Sequence, residues 1–285
     1  MVLAFWILKN IFQDEKLTFA KEVVNLTKDT YAIKISQQRF LGVSMKNLGH
    51  LGIYTLLVFL SIYLLDYSSL YLAKLFIWGM DGYSIIVAVE QLALLGLVIY
   101  WLKKKKMLYI FEKKGSKKSR FFYLVVSLVA TYFVRQFLSA FYLQFSHFIN
   151  NHYIFEDLLS VLSFSEQSTI LTTCFSFVSV VILGPILEEI VHRGYFMNTF
   201  FPKSKYYLDV ILSALIFGFS HLVLSHRDPI SLMVYSFSGL FFALVYRWTK
   251  NLKITILCHS FINFLIHADF IWLFLSNLIY YRFFR

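Results

Sequence analysis

Charged residues are scarce in this chain. Only 15% of its 285 residues are Asp, Glu, Lys or Arg, whereas 59% are hydrophobic and 20% are aromatic. A soluble domain carries about 25% charged residues, so the composition predicts a membrane protein. The two cysteines, Cys174 and Cys258, lie in apolar stretches, which excludes a disulfide framework and a cysteine-based metal site. With only three prolines, a long flexible linker is also not expected.

Acidic residues are fewer than basic ones, and the formal net charge is +11. Such a charge is also found in nucleic-acid-binding proteins, but those place it on a basic domain or patch. Here the basic residues lie between apolar stretches, as the positive-inside rule predicts for membrane proteins. We therefore expect a lipid bilayer around the protein and no nucleic-acid partner.

Apolar stretches long enough to cross a bilayer recur along the chain. A membrane-spanning helix needs about 20 apolar residues. The predicted spans are about 48–66, 84–102, 121–143, a fourth that starts near 169, 207–224, 230–248 and 254–281. The last forms either one tilted helix with an extension or two short helices hinged near residues 267–269. The predicted fold class is all-α, a polytopic integral membrane helical bundle with seven or eight transmembrane helices.

The distribution of Lys and Arg predicts the orientation. Loop 103–120 has nine basic residues and one acid, and segment 1–46 has seven basic residues, so both should be cytosolic. Loop 150–168 has three acids and no Lys or Arg and should be external. We expect three regions: a cytosolic or interfacial segment 1–46, N-terminal transmembrane helices in 47–150 that include the basic loop, and a catalytic transmembrane region in 151–285. The expected location is the plasma membrane, with a cytosolic N-terminus.

Two adjacent glutamates, Glu188 and Glu189, follow the uncharged apolar stretch 169–187. A carboxylate in hydrocarbon costs about 2.5–3.5 kcal/mol on insertion scales, so intramembrane acids mark functional sites. Glu189 and Arg193 are four residues apart and can pair on one helix face. Glu188 lies about 100° round the helix from Glu189 and is left as a candidate general base.

Two further patterns add imidazoles and an amide. His221 ends the stretch Phe217-Gly-Phe-Ser-His, and His259 and Asn263 lie four apart on one face of the last apolar stretch. Asn263 could orient the imidazole of His259 or help to bind an oxyanion. A carboxylate, two imidazoles and an amide suffice to activate a water molecule, polarise a carbonyl group and protonate a leaving amine. Peptide-bond hydrolysis fits this set.

Helix lengths bear on whether these residues meet. If the fourth helix continues to about Phe200 and the chain turns at 202–205, Glu188 lies about 21 Å before the centre of that turn and His221 about 27 Å after it, at 1.5 Å per residue. These two side chains can then meet. His259 follows the turn at 251–253 closely and is expected nearer the cytosolic face than Glu188.

These residues are compatible both with a metal-dependent and with a metal-free mechanism. A divalent metal such as zinc could be held by Glu188, His221 and His259, which are suitable ligand types. A metal-free mechanism driven by a glutamate is equally consistent with these residues. The stretch from Glu188 to His192 resembles the zincin motif His-Glu-x-x-His with its first His replaced, and the loss of that ligand argues against a zincin.

The three patterns together resemble the CPBP family of CAAX-protease and bacteriocin-processing membrane proteins, also called the Abi family. Its motifs Glu-Glu-x-x-x-Arg, Phe-x-x-x-His and His-x-x-x-Asn/Asp stand here, in order, within residues 169–267. The resemblance implies an all-helical polytopic fold, a cavity that opens to the cytosol or membrane, and intramembrane endopeptidase activity. By this resemblance Glu188 activates the water, His221 shapes the site, and His259 and Asn263 bind the oxyanion or assist proton transfer.

The substrate follows only in outline. The abundance of Lys, Ile, Phe and Asn is typical of a low-GC bacterium, in which prenylated CAAX substrates are not expected, so the resemblance favours a peptide precursor or a small membrane protein. The alternative is a non-proteolytic membrane protein that acts in bacteriocin self-immunity or as a scaffold. A transporter would show inverted repeats, and the sequence has none. Nothing in the sequence indicates the oligomeric state.

Overall fold

The computed structural model describes residues 49–75, 79–111, 117–149, 169–201, 204, 206–222 and 229–283. The chain forms two compact units, Met1–Gly52 and Ile53–Arg285. Only residues 49–52 of the first unit are described, as part of a helix. The predicted segment 1–46 and the whole of the predicted external loop 150–168 lie outside the described residues.

The described part of the second unit consists of helices and the turns between them, without a strand, which confirms the all-α fold class. Seven long helices are present in this part. They are α1 (53–75), α2 (Gly79–Lys104), α3 (Lys117–Ile149), α4 (Ile170–Phe200), α5 (Leu208–Leu222), α6 (Pro229–Thr249) and α7 (Leu252–Phe283). A 3₁₀ turn, Leu108–Phe111, follows α2. Helix α7 is continuous, so of the two alternatives for 254–281 the structure has one long helix.

The described helices are apolar, but they differ in whether they are long enough to cross a bilayer. Four are long and apolar enough to cross a bilayer: Gly79–Lys104, Lys118–Phe145, Ile170–Phe200 and Pro229–Thr249. Three shorter apolar helices, Gly49–Ser61, Leu208–His221 and Leu252–Ala268, occur as well in the described residues. Large apolar side chains such as Leu97 and Phe133, each 65% exposed, cover the outer surfaces of α2 and α3. The chain is a polytopic helical membrane protein.

Helix α4 contains a segment that is buried on every side. Its side chains from Ile190 to Met197 are all buried, and Arg193, Tyr195 and Phe196 are among the largest fully buried side chains in the described residues. A helix that is enclosed on every side packs against protein rather than lipid. The polar groups of this segment therefore face other helices.

Two π turns interrupt α4, at Val178–Leu183 and Ile190–Met197. Between them lies the short α-helical segment Gly184–Glu189, which ends with the two glutamates. π turns are rare and frequent at functional sites, because the wider turn changes the direction of the side chains that follow it. The glutamates thus lie in a short α-helical segment that has a π turn on each side.

Helices α5 and α6 cross at close range through glycines. A Cβ atom on Gly239 would lie 3.1 Å from both the Cα of Ala214 and the Cβ of Phe217. A Cβ atom on Gly218 would lie 2.1 Å from the Oγ of Ser236 and 3.0 Å from its backbone nitrogen. Small residues permit such approaches between membrane helices. This crossing sets the position of the α5 residues Phe217 and His221 relative to α6.

Candidate active site

Glu189 and Arg193 form the buried ion pair that their spacing predicts. Nη1 of Arg193 lies 2.9 Å from Oε1 of Glu189, and both side chains are fully buried. Nη2 of the same guanidinium donates to the carbonyl oxygen of Gly239 at 2.8 Å. Its Cζ atom also lies 4.7 Å from the ring centroid of Phe217 and 5.6 Å from that of Phe242. Arg193 therefore ties α4 to α5 and α6 while it compensates the charge of Glu189.

His259 is oriented by Glu189. Its Nδ1 atom lies 2.9 Å from Oε1 of Glu189, and its ring stacks on Phe242 with 4.4 Å between the ring centroids. An ionised carboxylate can only accept hydrogen bonds, so Nδ1 carries a proton and donates it to this bond. In the neutral imidazole, Nε2 is then an acceptor. Glu189 thus fixes the tautomer of His259 in addition to pairing with Arg193.

His221 is oriented by its own helix. Its Nδ1 atom lies 2.9 Å from the carbonyl oxygen of Phe217, one turn earlier. A carbonyl oxygen only accepts, so this nitrogen is also the donor and Nε2 of the neutral ring is the acceptor. The ring stacks on Tyr235 with 4.6 Å between the centroids. Two imidazoles from different helices therefore both present Nε2.

Glu188 lies where the two imidazoles converge. Its Oε2 atom is 3.6 Å from Nε2 of His221 and 3.9 Å from Nε2 of His259, and its side chain is 17% exposed. Both separations exceed a hydrogen bond, and all three atoms are acceptors when the rings are neutral. Three converging acceptors favour an O–H donor between them, which is the role a water molecule can fill. The arrangement is suited to hold and deprotonate water.

Asn263 contacts a different part of the protein. Its Nδ2 atom donates to the carbonyl oxygen of Val180 at 2.8 Å, in the first π turn of α4. Its expected partner His259 is instead oriented by Glu189. Of the six predicted site residues, the structure brings five into one cluster whose linked polar atoms lie 2.9 to 3.9 Å apart, namely Glu188, Glu189, Arg193, His221 and His259. Asn263 is linked to this cluster indirectly, through its hydrogen bond to Val180 of α4.

The start of α7 explains how His259 reaches the glutamates. A Cβ atom on Gly194 would lie 3.2 Å from Cδ2 of Leu252, the first residue of α7. Leu252 is fully buried and the preceding Asn251 is 5% exposed. Helix α7 thus begins level with Gly194, well before α4 ends at Phe200. His259 therefore lies beside Glu188, with 3.9 Å between Nε2 and Oε2, while its expected position nearer the cytosolic face stays a prediction.

Two contributors to this region were not predicted from sequence. Phe217 is 1% exposed, and its ring contacts those of His192, His221, Phe242 and His259. It stands in the pattern that ends at His221, so the sequence does contain a signal for it. Tyr54 of α1 places its hydroxyl 2.9 Å from Nδ1 of the fully buried His192. No motif surrounds Tyr54 that could have indicated this contact.

The described residues contain no group of three or more His, Cys, Asp and Glu side chains arranged to hold a metal ion. The predicted ligand set of Glu188, His221 and His259 converges, with oxygen–nitrogen separations of 3.6 and 3.9 Å. Two ligand atoms bound at about 2.1 Å to a tetrahedral ion lie about 3.4 Å apart, so these three residues would hold a metal ion if the reaction uses one. The chemistry below is derived from the chain's own groups.

Comparison with known families agrees with the motif resemblance. Residues 170–265 match the family described as "Type II CAAX prenyl endopeptidase Rce1-like". This segment contains α4, α5, α6 and the start of α7, and therefore all three motifs. The resemblance to CAAX-protease-like membrane peptidases is confirmed for this part of the chain.

Two curated bacterial proteins are each similar to a part of this chain. The "Putative membrane peptidase YdiL" of Bacillus subtilis (strain 168) is 34% identical over 82 residues, which is 29% of this chain and 32% of that protein. The "Membrane-embedded CAAX protease MroQ" of Staphylococcus aureus (strain USA300) is 34% identical over 90 residues, which is 30% of this chain and 34% of that protein. The match thus spans about a third of the length of each relative. No solved structure gives a significant match.

Proposed function

We propose that this protein is an intramembrane endopeptidase that hydrolyses a peptide bond in a peptide precursor or a small membrane protein. The observation that carries the proposal is the convergence of Oε2 of Glu188 with Nε2 of His221 and of His259, at 3.6 and 3.9 Å. Glu188 lies in a helix that is long and apolar enough to cross a membrane, and His221 and His259 lie in shorter apolar helices. The similarity of residues 170–265 to CAAX-protease-like membrane peptidases supports the same reaction class.

In the first step, a water molecule held by the three acceptors attacks the carbonyl carbon of the scissile peptide bond. Glu188 takes the proton from the water, and the electron pair of the C=O double bond moves to the oxygen, which becomes an oxyanion. General-base assistance of this kind contributes about 10²–10⁴-fold in rate. The side chain of Glu188 is 17% exposed, although its Oε2 atom is itself buried.

The two histidines have different partners, which assigns them different roles. His259 donates Nδ1–H to the carboxylate of Glu189, and such a carboxylate stabilises the imidazolium form. Nε2 of His259 can therefore share the proton that Glu188 has taken from the water, and the oxyanion can accept a hydrogen bond from it. His221 donates instead to the neutral carbonyl of Phe217, so its Nε2 stays an acceptor that orients the water.

In the second step, the oxyanion re-forms the C=O double bond and the C–N bond breaks. The proton held by Glu188 passes to the departing nitrogen, which leaves as an amine, and Glu188 returns to the carboxylate form. Glu189 and Arg193 keep their charges throughout and hold His259 and α4 in position. Atoms and charges balance without an additional reactant.

The test is cleavage of candidate peptide precursors by the purified full-length protein in detergent, with and without a chelator. We expect the wild type to cleave and Glu188→Gln to lose at least about 100-fold in rate, because the amide cannot take up the proton. The matched control is Glu90→Gln, which makes the same chemical change within α2. There Glu90 accepts hydrogen bonds from Ser68 and Ser69, and a glutamine oxygen can accept them too. We expect this control to cleave like the wild type.

Each outcome has a defined meaning. Cleavage that is independent of Glu188 contradicts the mechanism. Loss of cleavage in the presence of chelator would support a metal ion in the reaction, whereas chelator-resistant cleavage would support the glutamate mechanism. If the folded wild type cleaves nothing in a broad precursor panel, the non-proteolytic immunity or scaffolding function becomes the better explanation.

A further inference from the structure

A backbone carbonyl in α4 has lost both of its usual donors. In an α-helix or a π turn, the carbonyl of Val180 would accept from the N–H group of residue 184 or 185. Gly184 donates instead to Ser179, and residue 185 is a proline, which has no N–H. The sequence Gly184-Pro185 therefore leaves a gap in the hydrogen bonds of α4, shortly before Glu188.

This carbonyl lies on a part of the helix surface that a bilayer would cover. Val180 belongs to the apolar helix Ile170–Phe200, and its side chain is 38% exposed on the outer surface. Within a bilayer that surface faces hydrocarbon, where a backbone polar group must find its partner in the protein. The amide of Asn263 on α7 is that partner, with Nδ2 at 2.8 Å from the carbonyl oxygen.

The same two helices carry the reacting groups. Asn263 lies one turn after His259 on α7, and Val180 lies two turns before Glu188 on α4. A bond between Asn263 and Val180 fixes the lateral distance between α4 and α7 on one side of the site. On the other side, Glu189 and His259 are joined at 2.9 Å. Glu188 and His259 are thus held at their separation of 3.9 Å by two links between the same helices.

We propose that Asn263 is a positioning residue, which fills the hydrogen-bond gap made by Pro185 and so holds Glu188 in register with His259. This role differs from direct binding of the oxyanion, in which the amide itself would contact the reacting atoms. The proposal rests on the proposed function only in that it takes Glu188 and His259 as the reacting pair. The hydrogen bond and its dependence on Pro185 can also be tested without any activity.

The two roles are separated by restoring the missing donor. In Pro185→Ala, residue 185 regains an N–H group that can bond to the Val180 carbonyl. We expect Asn263→Ala to lower kcat about 100-fold, the scale that a displacement of about 1 Å produces, with little change in KM. The double variant Asn263→Ala/Pro185→Ala should recover to within about tenfold of Pro185→Ala alone. A double variant that stays as inactive as Asn263→Ala overturns the proposal and favours direct oxyanion binding.

The matched control is Pro229→Ala. Pro229 is the first residue of α6, where a backbone N–H has no partner within the helix, so its restoration should not rescue Asn263→Ala. Rescue by both proline replacements would also overturn the proposal, because it would show a general gain in stability. If Pro185→Ala does not fold, Pro185→Leu restores the same N–H with a different side chain.

Thermal unfolding gives a readout that is independent of cleavage. We expect Asn263→Ala to lower Tm in the wild-type background and to change it little in the Pro185→Ala background. An equal decrease in both backgrounds would show that Asn263 and Pro185 are not coupled and would contradict the proposal. If the wild type cleaves nothing, the proposed function fails, but this pair of Tm differences still decides whether Asn263 fills the gap.

Discussion

Replacing Arg193 by Met separates the stability of the site from its chemistry. Arg193 is fully buried and bonds to Oε1 of Glu189 at 2.9 Å and to the Gly239 carbonyl at 2.8 Å. Methionine removes the charge and leaves Glu189 as an uncompensated buried carboxylate. Removing one partner of a buried ion pair costs about 3–5 kcal/mol, so Arg193→Met should lower the free energy of unfolding by this amount.

The double variant Arg193→Met/Glu189→Leu removes both charges. Replacing a whole buried pair by apolar side chains of similar volume is often neutral or stabilising. We therefore expect the double variant to regain most of the lost stability, to within about 2 kcal/mol of the wild type once the unbonded Gly239 carbonyl is included. Its cleavage activity should stay absent, because His259 has lost the carboxylate that holds its Nδ1.

The assay combines equilibrium unfolding of the detergent-solubilised variants with the cleavage measurement described above. The reasoning is refuted if the double variant is as unstable as Arg193→Met, since the penalty would then not come from an unpaired charge. It is equally refuted if the double variant cleaves at the wild-type rate, since Glu189 would then not orient His259.

Two further perturbations follow from packing. Gly239→Val should lower the free energy of unfolding by about 1–3 kcal/mol, because its Cβ would lie 3.1 Å from Ala214 and Phe217. The control in the same unfolding assay is Gly96→Val in α2, where a Cβ would have no described atom within 4 Å. Tyr54→Phe leaves Nδ1 of the buried His192 without its bond, at a cost of about 1–3 kcal/mol, and His192→Phe/Tyr54→Phe should recover part of it; no recovery would contradict the pairing.

Much of the fold could be predicted from local signals in the sequence. Apolar stretches of about 20 residues located the helices, and the fourth helix does continue to Phe200, as the estimate of helix lengths had assumed. The pairing of Glu189 with Arg193 followed from their spacing alone and is present. The convergence of Glu188 and His221 was predicted from helix lengths and is also present.

The contacts that were not predicted depend on the level in the bundle at which each helix begins and on breaks within the helices. The link between His259 and Glu189 requires α7 to begin beside Gly194, and the absence of a side chain there gives no hydrophobic signal. The bond from Asn263 to Val180 depends on the gap that Pro185 makes in α4. A proline shortly before two glutamates is visible in the sequence, but Asn263, which donates to the Val180 carbonyl, is 83 positions from Val180 and cannot be identified from spacing.

The contact between Tyr54 and His192 has a consequence for how such chains vary over evolution. Tyr54 lies outside the segment 170–265 that resembles the peptidase family, yet it supplies the hydrogen-bond partner of a residue in the middle of that segment. A change at position 192 is therefore tolerated best together with a change at position 54. The residues at positions 54 and 192 should therefore co-vary among related chains. A transfer of segment 170–265 into another protein should include α1, which carries Tyr54.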